Sequence, residues 1–358
     1  MLTPRLGSQV VYNSLVMPRV SRLALALLVA PAACERGGER VVVYTSLDDV
    51  FSRPILEAFQ RETGIEVAPV FDVEATKTTG LYQRLLAEKD RPRADVFWNS
   101  EVVRTVQLEK AGVLERYVPR GAEGIPDGLK APSGEWTGFA ARARVLIYHT
   151  GRVPPAEAPR SIMDLASERF RGEAGIAEPL FGTTATHAGA LRARLGAARM
   201  EEFFRSLVAN GVKVLGGNSV VRDRVAAGEL KIGLTDTDDA FVALKKGLPV
   251  GIVFPDQEAA FPGVDGPLGT FLIPNTVAVI AGAPHPEAAR RLADYLLRPE
   301  TEEALARGDS AQIPVRKDLR SPEGLRVPAN LARMDVSFEE AARGLEESVE
   351  FLRALFVR

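Results

Sequence analysis

Residues 41–71 read VVVYTSLDDVFSRPILEAFQRETGIEVAPVF, and their pattern decides the fold class. Val41 to Thr45 is a continuous apolar run, as in a strand buried on both faces. Ser46-Leu47-Asp48-Asp49 makes a turn. Residues 50–63 then repeat apolar side chains at helical spacing through Ile55, Leu56 and Phe59. Gly64 ends that helix as a C-cap, and residues 65–71 form a second strand. The unit repeats with a helix at 78–88, a strand at 94–98, the turn Asn99-Ser100-Glu101, and a helix that stops at Gly112. Strand, turn and helix in succession predict a doubly wound, parallel α/β sheet.

Farther along, residues 136–148 form a long extended segment with Arg142 and Arg144 on one face, read as a strand passing between domains. A second α/β run follows: a helix at 161–167, a strand at 175–177, a loop at 178–184, and helices at 185–195 and 199–210. The glycine-rich turn Gly216-Gly217-Asn218-Ser219 opens a helix at 220–227, and strands fall at 231–234 and 250–254. Residues 269–280, interrupted at Pro274-Asn275, read as the return crossing. Helices follow at 286–297 and 299–307, and an amphipathic helix at 337–356 opens on a Ser337/Glu340 capping box. The expected division is a first lobe of 40–140 plus 272–310, a second lobe of 141–271, and a C-terminal helical segment at 311–358. The expected fold is two doubly wound sheets joined by two crossing strands.

The chain has 358 residues, enough for two cores, and a net charge of −2 that points to neither nucleic acid nor an anionic membrane surface. Its single cysteine, Cys34, follows a basic start at Arg19 and Arg22 and an apolar run at 23–33. That run is shorter than the ~20 residues a membrane-spanning helix needs, and it fits a secretory leader. Residues 1–34 resemble a bacterial lipoprotein signal in which Cys34 carries the lipid. Met17 makes the more compact start, so residues 1–16 are set aside as an upstream extension. One cysteine permits no intramolecular disulfide, even in an oxidising compartment.

The second lobe holds the most charged turn, KIGLTDTDDAFVALKKG, residues 231–247. Asp236, Asp238 and Asp239, interleaved with Thr235 and Thr237, repel one another unless a cation, donors or a helix end absorbs the charge. Two readings stand side by side. Asp236 is placed as an N-cap with Asp238 and Asp239 in a first turn that favours negative charge. The same turn lies at the carboxyl edge of a strand, where α/β sheets bind ligands.

Four stretches carry a family resemblance: VVVYTSLDDVFSRPILEAFQRETGIEV, ADVFWNSE, ARARVLIYHT and NSVVRDRVAAGELKIGL. Together they resemble the bacterial ferric-ion-binding proteins of ABC importers, among the extracellular solute-binding proteins, over roughly residues 41–304. The resemblance implies a two-lobed periplasmic binding protein (type II) fold, a permease partner and Fe(III) as transported ligand. In that family a histidine, a glutamate and two adjacent tyrosines hold the ion beside an anion. Here Glu101 matches the glutamate, Asp48 stands at the histidine position, and Thr237 and Asp238 fall on or beside the tyrosine pair.

Hard cations take carboxylate and hydroxyl oxygens. Asp48, Glu101, Asp236, Asp238 and Asp239 are therefore the expected metal ligands, with Thr45, Ser46, Glu74 and Thr237 lining the same cleft. Glu101 has a second reading, charge compensation at its own helix start. Asn218 and Ser219 match a family position that meets the anion, and Thr183 and Thr184 fall near a second anion-contact loop, both before helices. Arg142 and Arg144 either add positive charge to that side or form hinge ion pairs. A lipid-anchored, monomeric receptor that binds no nucleic acid and hands its solute to a permease is the leading function. The alternative cargo is a small organic solute such as a phosphonate or a cationic amine. An exported metal-assisted hydrolase and a tethered sensor are the competing classes. The chain shows no serine elbow or phosphate loop that would support an enzyme.

Overall fold

The computed structural model describes residues 38–72, 79–258, 261, 264–321, 324 and 327–357. The leader with Cys34 lies outside the described residues, as does Glu74. The strands are β1 (Arg40–Thr45), β2 (Glu66–Phe71), β3 (Val96–Asn99), β4 (Thr137–His149), β5 (Ala174–Ala177), β6 (Lys213–Leu215), β7 (Ile232–Asp236), β8 (Val250–Val253) and β9 (Leu272–Val279). The helices are α1 (Asp49–Thr63), α2 (Thr79–Ala87), α3 (Val103–Lys110), α4 (Gly182–Leu195), α5 (Ala197–Ala209), α6 (Asn218–Ala226), α7 (Thr237–Lys245), α8 (Pro286–Leu296), α9 (Pro299–Arg307) and α10 (Phe338–Phe356).

β1 pairs in parallel with β2 and β3, as the opening pattern predicts. α1 closes over that sheet because Ile55, Leu56 and Phe59 share one face, and Gly64 ends it in the left-handed conformation (φ 72°). Phe59 meets Tyr295 of α8 edge-on at 5.2 Å. In the second half, β5 pairs in parallel with β6 and β7. The sequence predicts two sheets joined by two crossing strands, and β4 and β9 are those strands. Hydrogen bonding runs through both halves in the order β2-β1-β3-β9-β4-β7-β5-β6, with β8 also on β4.

β4 is what joins them. Thr137–Ala143 pairs with β9, while Arg144–Tyr148 pairs with β7. β9 is unbroken through Pro274 and Asn275, so the expected interruption lies on its partner. β4 bulges between Phe139 and Ala141, with Ala140 at φ 40°. Pro274 has no N–H to give a ladder, and it sits where the partner is irregular. The Ala140 N–H donates to Glu302 at 2.8 Å, and the Asn275 amide donates to the Ala140 carbonyl.

Residues 162–166, within the helix expected at 161–167, form a 3₁₀ helix capped by Ser161 and Asp164. α10 opens on the Ser337/Glu340 capping box, as expected. It crosses α4 so closely that a Cβ on Gly189 would meet the Leu345 nitrogen at 2.8 Å and collide with the Ala341 carbonyl. No described helix is long and apolar enough to cross a membrane.

Candidate functional site

A cavity of ≈ 70 Å³ opens at the carboxyl ends of β1, β3, β5 and β7. The first half of the sheet contributes Asp48 and Ser100 to its lining, from the turns after β1 and β3. The second half contributes Glu178, the start of α4 at Gly182-Thr183-Thr184, the start of α6 at Gly217-Asn218-Ser219, and Asp236, Asp238 and Asp239. β4 sends in Arg142. This is the ligand edge that an open α/β sheet presents. Neither α4 nor α6 has a side-chain cap at its start, so first-turn N–H groups border the cavity.

Beneath the lining lies a buried polar network. Arg144, fully buried, donates to Asp236 Oδ1 at 2.6 Å, to Thr183 and Asn218 at 3.1 Å each, and to Thr184 at 3.2 Å. Thr183 donates to Asp236 Oδ2 at 2.7 Å, and the Asn218 amide donates to the same oxygen at 3.1 Å. Burial opposes the charged form of Asp236. The guanidiniums of Arg144 and Arg142 overcome it and hold the carboxyl below its ordinary range. Asp236 thus occupies the N-cap position of α7 without capping it by side chain. His187 is buried beside this network and stacks on Phe271 at 5.6 Å. Burial, helped by the Arg144 charge, pushes its imidazole down to about 3, so it is neutral.

Arg142 links the two halves. It donates to the Ser100 carbonyl on one side and to Asp238 at 3.4 Å on the other, with Asp236 at 3.7 Å. Burial works against its charge, but Asp238, Asp236, Asp48 and Asp239 more than reverse that and raise its pKa. Asp239 pairs with Arg222 at 3.2 Å.

Glu101 lies outside the lining. Its carboxylate accepts from the N–H groups of Val103 and Arg104 at 2.7 and 2.9 Å, and from the Thr186 hydroxyl across the cleft at 2.8 Å. Its second reading, service to its own helix start, describes the two backbone contacts, and the Thr186 contact ties it to α4. Ser46 ties the two first-half turns together by donating to Asn99 at 2.6 Å and accepting from Ser100 N at 2.8 Å. Thr45 accepts from Leu47 N, and Thr237 accepts from Ala143 N at 3.1 Å. These three hydroxyls are buried and do not line this cavity.

The structure brings four of the five expected carboxylates together. Asp48, Asp236, Asp238 and Asp239 do converge on one cavity, but Glu101 does not join them. Asp236, Asp238 and Asp239 each face a guanidinium. Among the described residues, no three acidic, histidine or cysteine side chains form a group able to hold a metal ion. Sequence reasoning passed over Glu178, which lines the cavity from a loop with no periodicity to mark it.

The sequence profile of the bacterial extracellular solute-binding proteins matches residues 55–331. "Iron uptake protein A1" of Synechocystis is 26% identical over 314 residues, spanning 82% of each chain. Among solved structures, the iron-bound HitA protein of Pseudomonas aeruginosa superposes with a TM-score of 0.79. It is 23% identical and covers 89% of this chain and 100% of its own. The AfuA protein of Actinobacillus pleuropneumoniae with fructose-6-phosphate bound gives a TM-score of 0.76 at 20% identity, covering 88% and 99%. These likenesses agree with the two-lobed periplasmic binding protein fold.

Proposed function

The chain belongs to the bacterial extracellular solute-binding protein family, and from that premise we propose that it captures ferric iron, together with a small anion, for an ABC importer. The observation that carries this reading is the size and make-up of the cavity. About 70 Å³ leaves room for roughly five water-sized groups, which suits an ion and a small anion better than a sugar phosphate. Five lining carboxylates stand against three guanidiniums, counting Arg144 and Arg222 from outside the lining, an excess of two negative charges. A net-acidic cleft attracts a cation. Arg142 and the starts of α4 and α6 accommodate the anion that travels with it.

Both halves contribute to the lining, so a bound solute favours the closed arrangement, and hinge closure is the working motion. Lobe limits of 40–140 with 272–310, and 141–271, fit this motion. Cys34 is the proposed lipid anchor, with a permease as the partner that receives the cargo.

A second reading has its own support. No tyrosine lines the cavity and no described carboxylate trio is grouped for a metal. Both observations favour a small organic solute such as a phosphonate or cationic amine. One experiment separates the two: thermal unfolding of protein starting at residue 35 with Fe(III)-citrate, Fe(III) plus phosphate, phosphonates and polyamines, alongside metal analysis. Stabilisation by the iron probes alone supports the proposal. A shift with a metal-free phosphonate or amine, and none with iron, replaces it with the second reading.

A further inference from the structure

Glu178 leaves the sheet at the end of β5 with its backbone fixed on both sides. Its N–H donates to the Leu215 carbonyl at 2.9 Å, and its carbonyl accepts from Phe181 N at 3.4 Å. Its side chain lines the cavity. Its Oε1 is buried and has no hydrogen-bond partner. Asp236, Asp238 and Asp239, by contrast, meet Arg144, Arg142 and Arg222, and Asp48 lies in the field of Arg142. Burial alone pushes the Glu178 carboxyl up, with no neighbouring charge or donor contributing. A desolvated acceptor without a partner costs stability and calls for an explanation. At the wall of a solute cavity, that explanation is a partner brought by the solute.

We infer that Glu178 is a ligand-contacting residue, whose carboxylate meets the positively charged or proton-donating face of the bound solute. The inference rests on reading this cavity as the solute site. It divides the cavity by chemistry: Arg142 and the helix starts take the anionic side of the ligand, and Glu178 takes the opposite side. The shared chemistry is a cation or a donor hydrogen. A metal ion, its bound water, or an ammonium group would each supply it.

The test is calorimetric titration of the wild-type protein, Glu178→Ala and Glu178→Gln with Fe(III)-citrate, Fe(III) plus phosphate, 2-aminoethylphosphonate and spermidine, plus urea unfolding without ligand. Glu178→Ala is expected to weaken the responsive probe by about tenfold or more. Its ligand-free urea midpoint should not fall, because the variant removes an unsatisfied acceptor. Glu178→Gln keeps an acceptor but not the charge. An equal loss there identifies a cationic partner, and near-wild-type affinity identifies a neutral donor; either supports the contact. If the wild-type protein binds a probe and both variants bind within about twofold of it, the inference is overturned. A lowered midpoint with unchanged affinity would overturn it too, by making Glu178 structural. If the wild-type protein binds none of the probes, the cavity's assignment as a solute site fails first, and the inference fails with it.

Discussion

Replacing Arg144 by methionine tests whether the acidic turn is held by its arginine or awaits a cation. The side chain is fully buried and donates to Asp236 at 2.6 Å, with Thr183, Thr184 and Asn218 around it. Methionine fills much of the same space but strands a buried carboxylate whose next guanidinium, Arg142, lies at 3.7 Å. Breaking one partner of such a pair costs about 3–5 kcal/mol. In urea unfolding, with a slope of about 3 kcal/mol per M for a chain of this size, the midpoint falls by roughly 1–2 M. The pH dependence sharpens the test. In the wild-type protein the Asp236 pKa is depressed, so its contribution is present above the unfolded value of about 3.9 and lost as pH falls through the folded value. In the variant, burial acts against a weaker opposing charge and the pKa rises. The variant then loses stability as pH climbs, so the gap between the two proteins is widest near neutrality and shrinks on acidification. A gap below about 1 kcal/mol at neutral pH, or one that widens towards acid, would refute the reasoning.

His187 titrates near 3 in the folded protein against 6.5 when free. The unfolded chain therefore binds the extra proton between those values, and stability drops by up to about 1.4 kcal/mol per pH unit as pH falls through the window. Urea midpoints for His187→Gln should lose that slope. Gly189→Ala forces a methyl against the α10 backbone and should cost about 1–3 kcal/mol in the same assay. Ala140→Gly relieves a positive φ of 40° at the β4 bulge and should stabilise by roughly 0.5–1 kcal/mol. Protein loaded with Fe(III) should lack a strong red tyrosinate-to-iron band in its visible spectrum, because no tyrosine lines the cavity. Such a band would overturn this account of the acidic turn.

The alternation of strand and helix was legible because it is local. Ile55, Leu56 and Phe59 mark one face of α1, Gly64 marks its end, and Ser337 with Glu340 marks the start of α10. The acidic turn was legible only in part, for the same reason. Sequence reasoning set an N-cap beside a ligand site for the three aspartates, and left Arg142 and Arg144 between an anion contact and hinge ion pairs. The charges that answer the aspartates come from Arg142 and Arg144, over ninety residues earlier, and from Arg222 on α6. No periodicity couples positions so far apart. Glu101 shows the converse: its matching position suggested the cleft, while two of its donors are the N–H groups two and three residues ahead, with the Thr186 hydroxyl as a third. Glu178 sits in a loop between two regular elements, and only the folded wall makes it stand out.

The bulge at Ala140 explains why β4 can both join the halves and supply the site. Side chains alternate faces along a strand, so one extra residue turns every later side chain over relative to the partner strand. Beyond the bulge, Ala141, Ala143, Val145 and Ile147 share one face, and the last three pack into the cluster around Phe241. Arg142 and Arg144 take the other face, where Asp238 and Asp236 receive them. Without the extra residue, the β9 pairing would aim the alanines at the aspartates and the guanidiniums at the apolar cluster. Buried charge without a partner would then stand where Phe241 now packs. The strain of a non-glycine residue at positive φ is accordingly offset by correct delivery of two charges, and the buried Glu302 carboxylate and the Asn275 amide hold that backbone in place. The joining strand and the charged wall of the cavity are thus specified by one local irregularity.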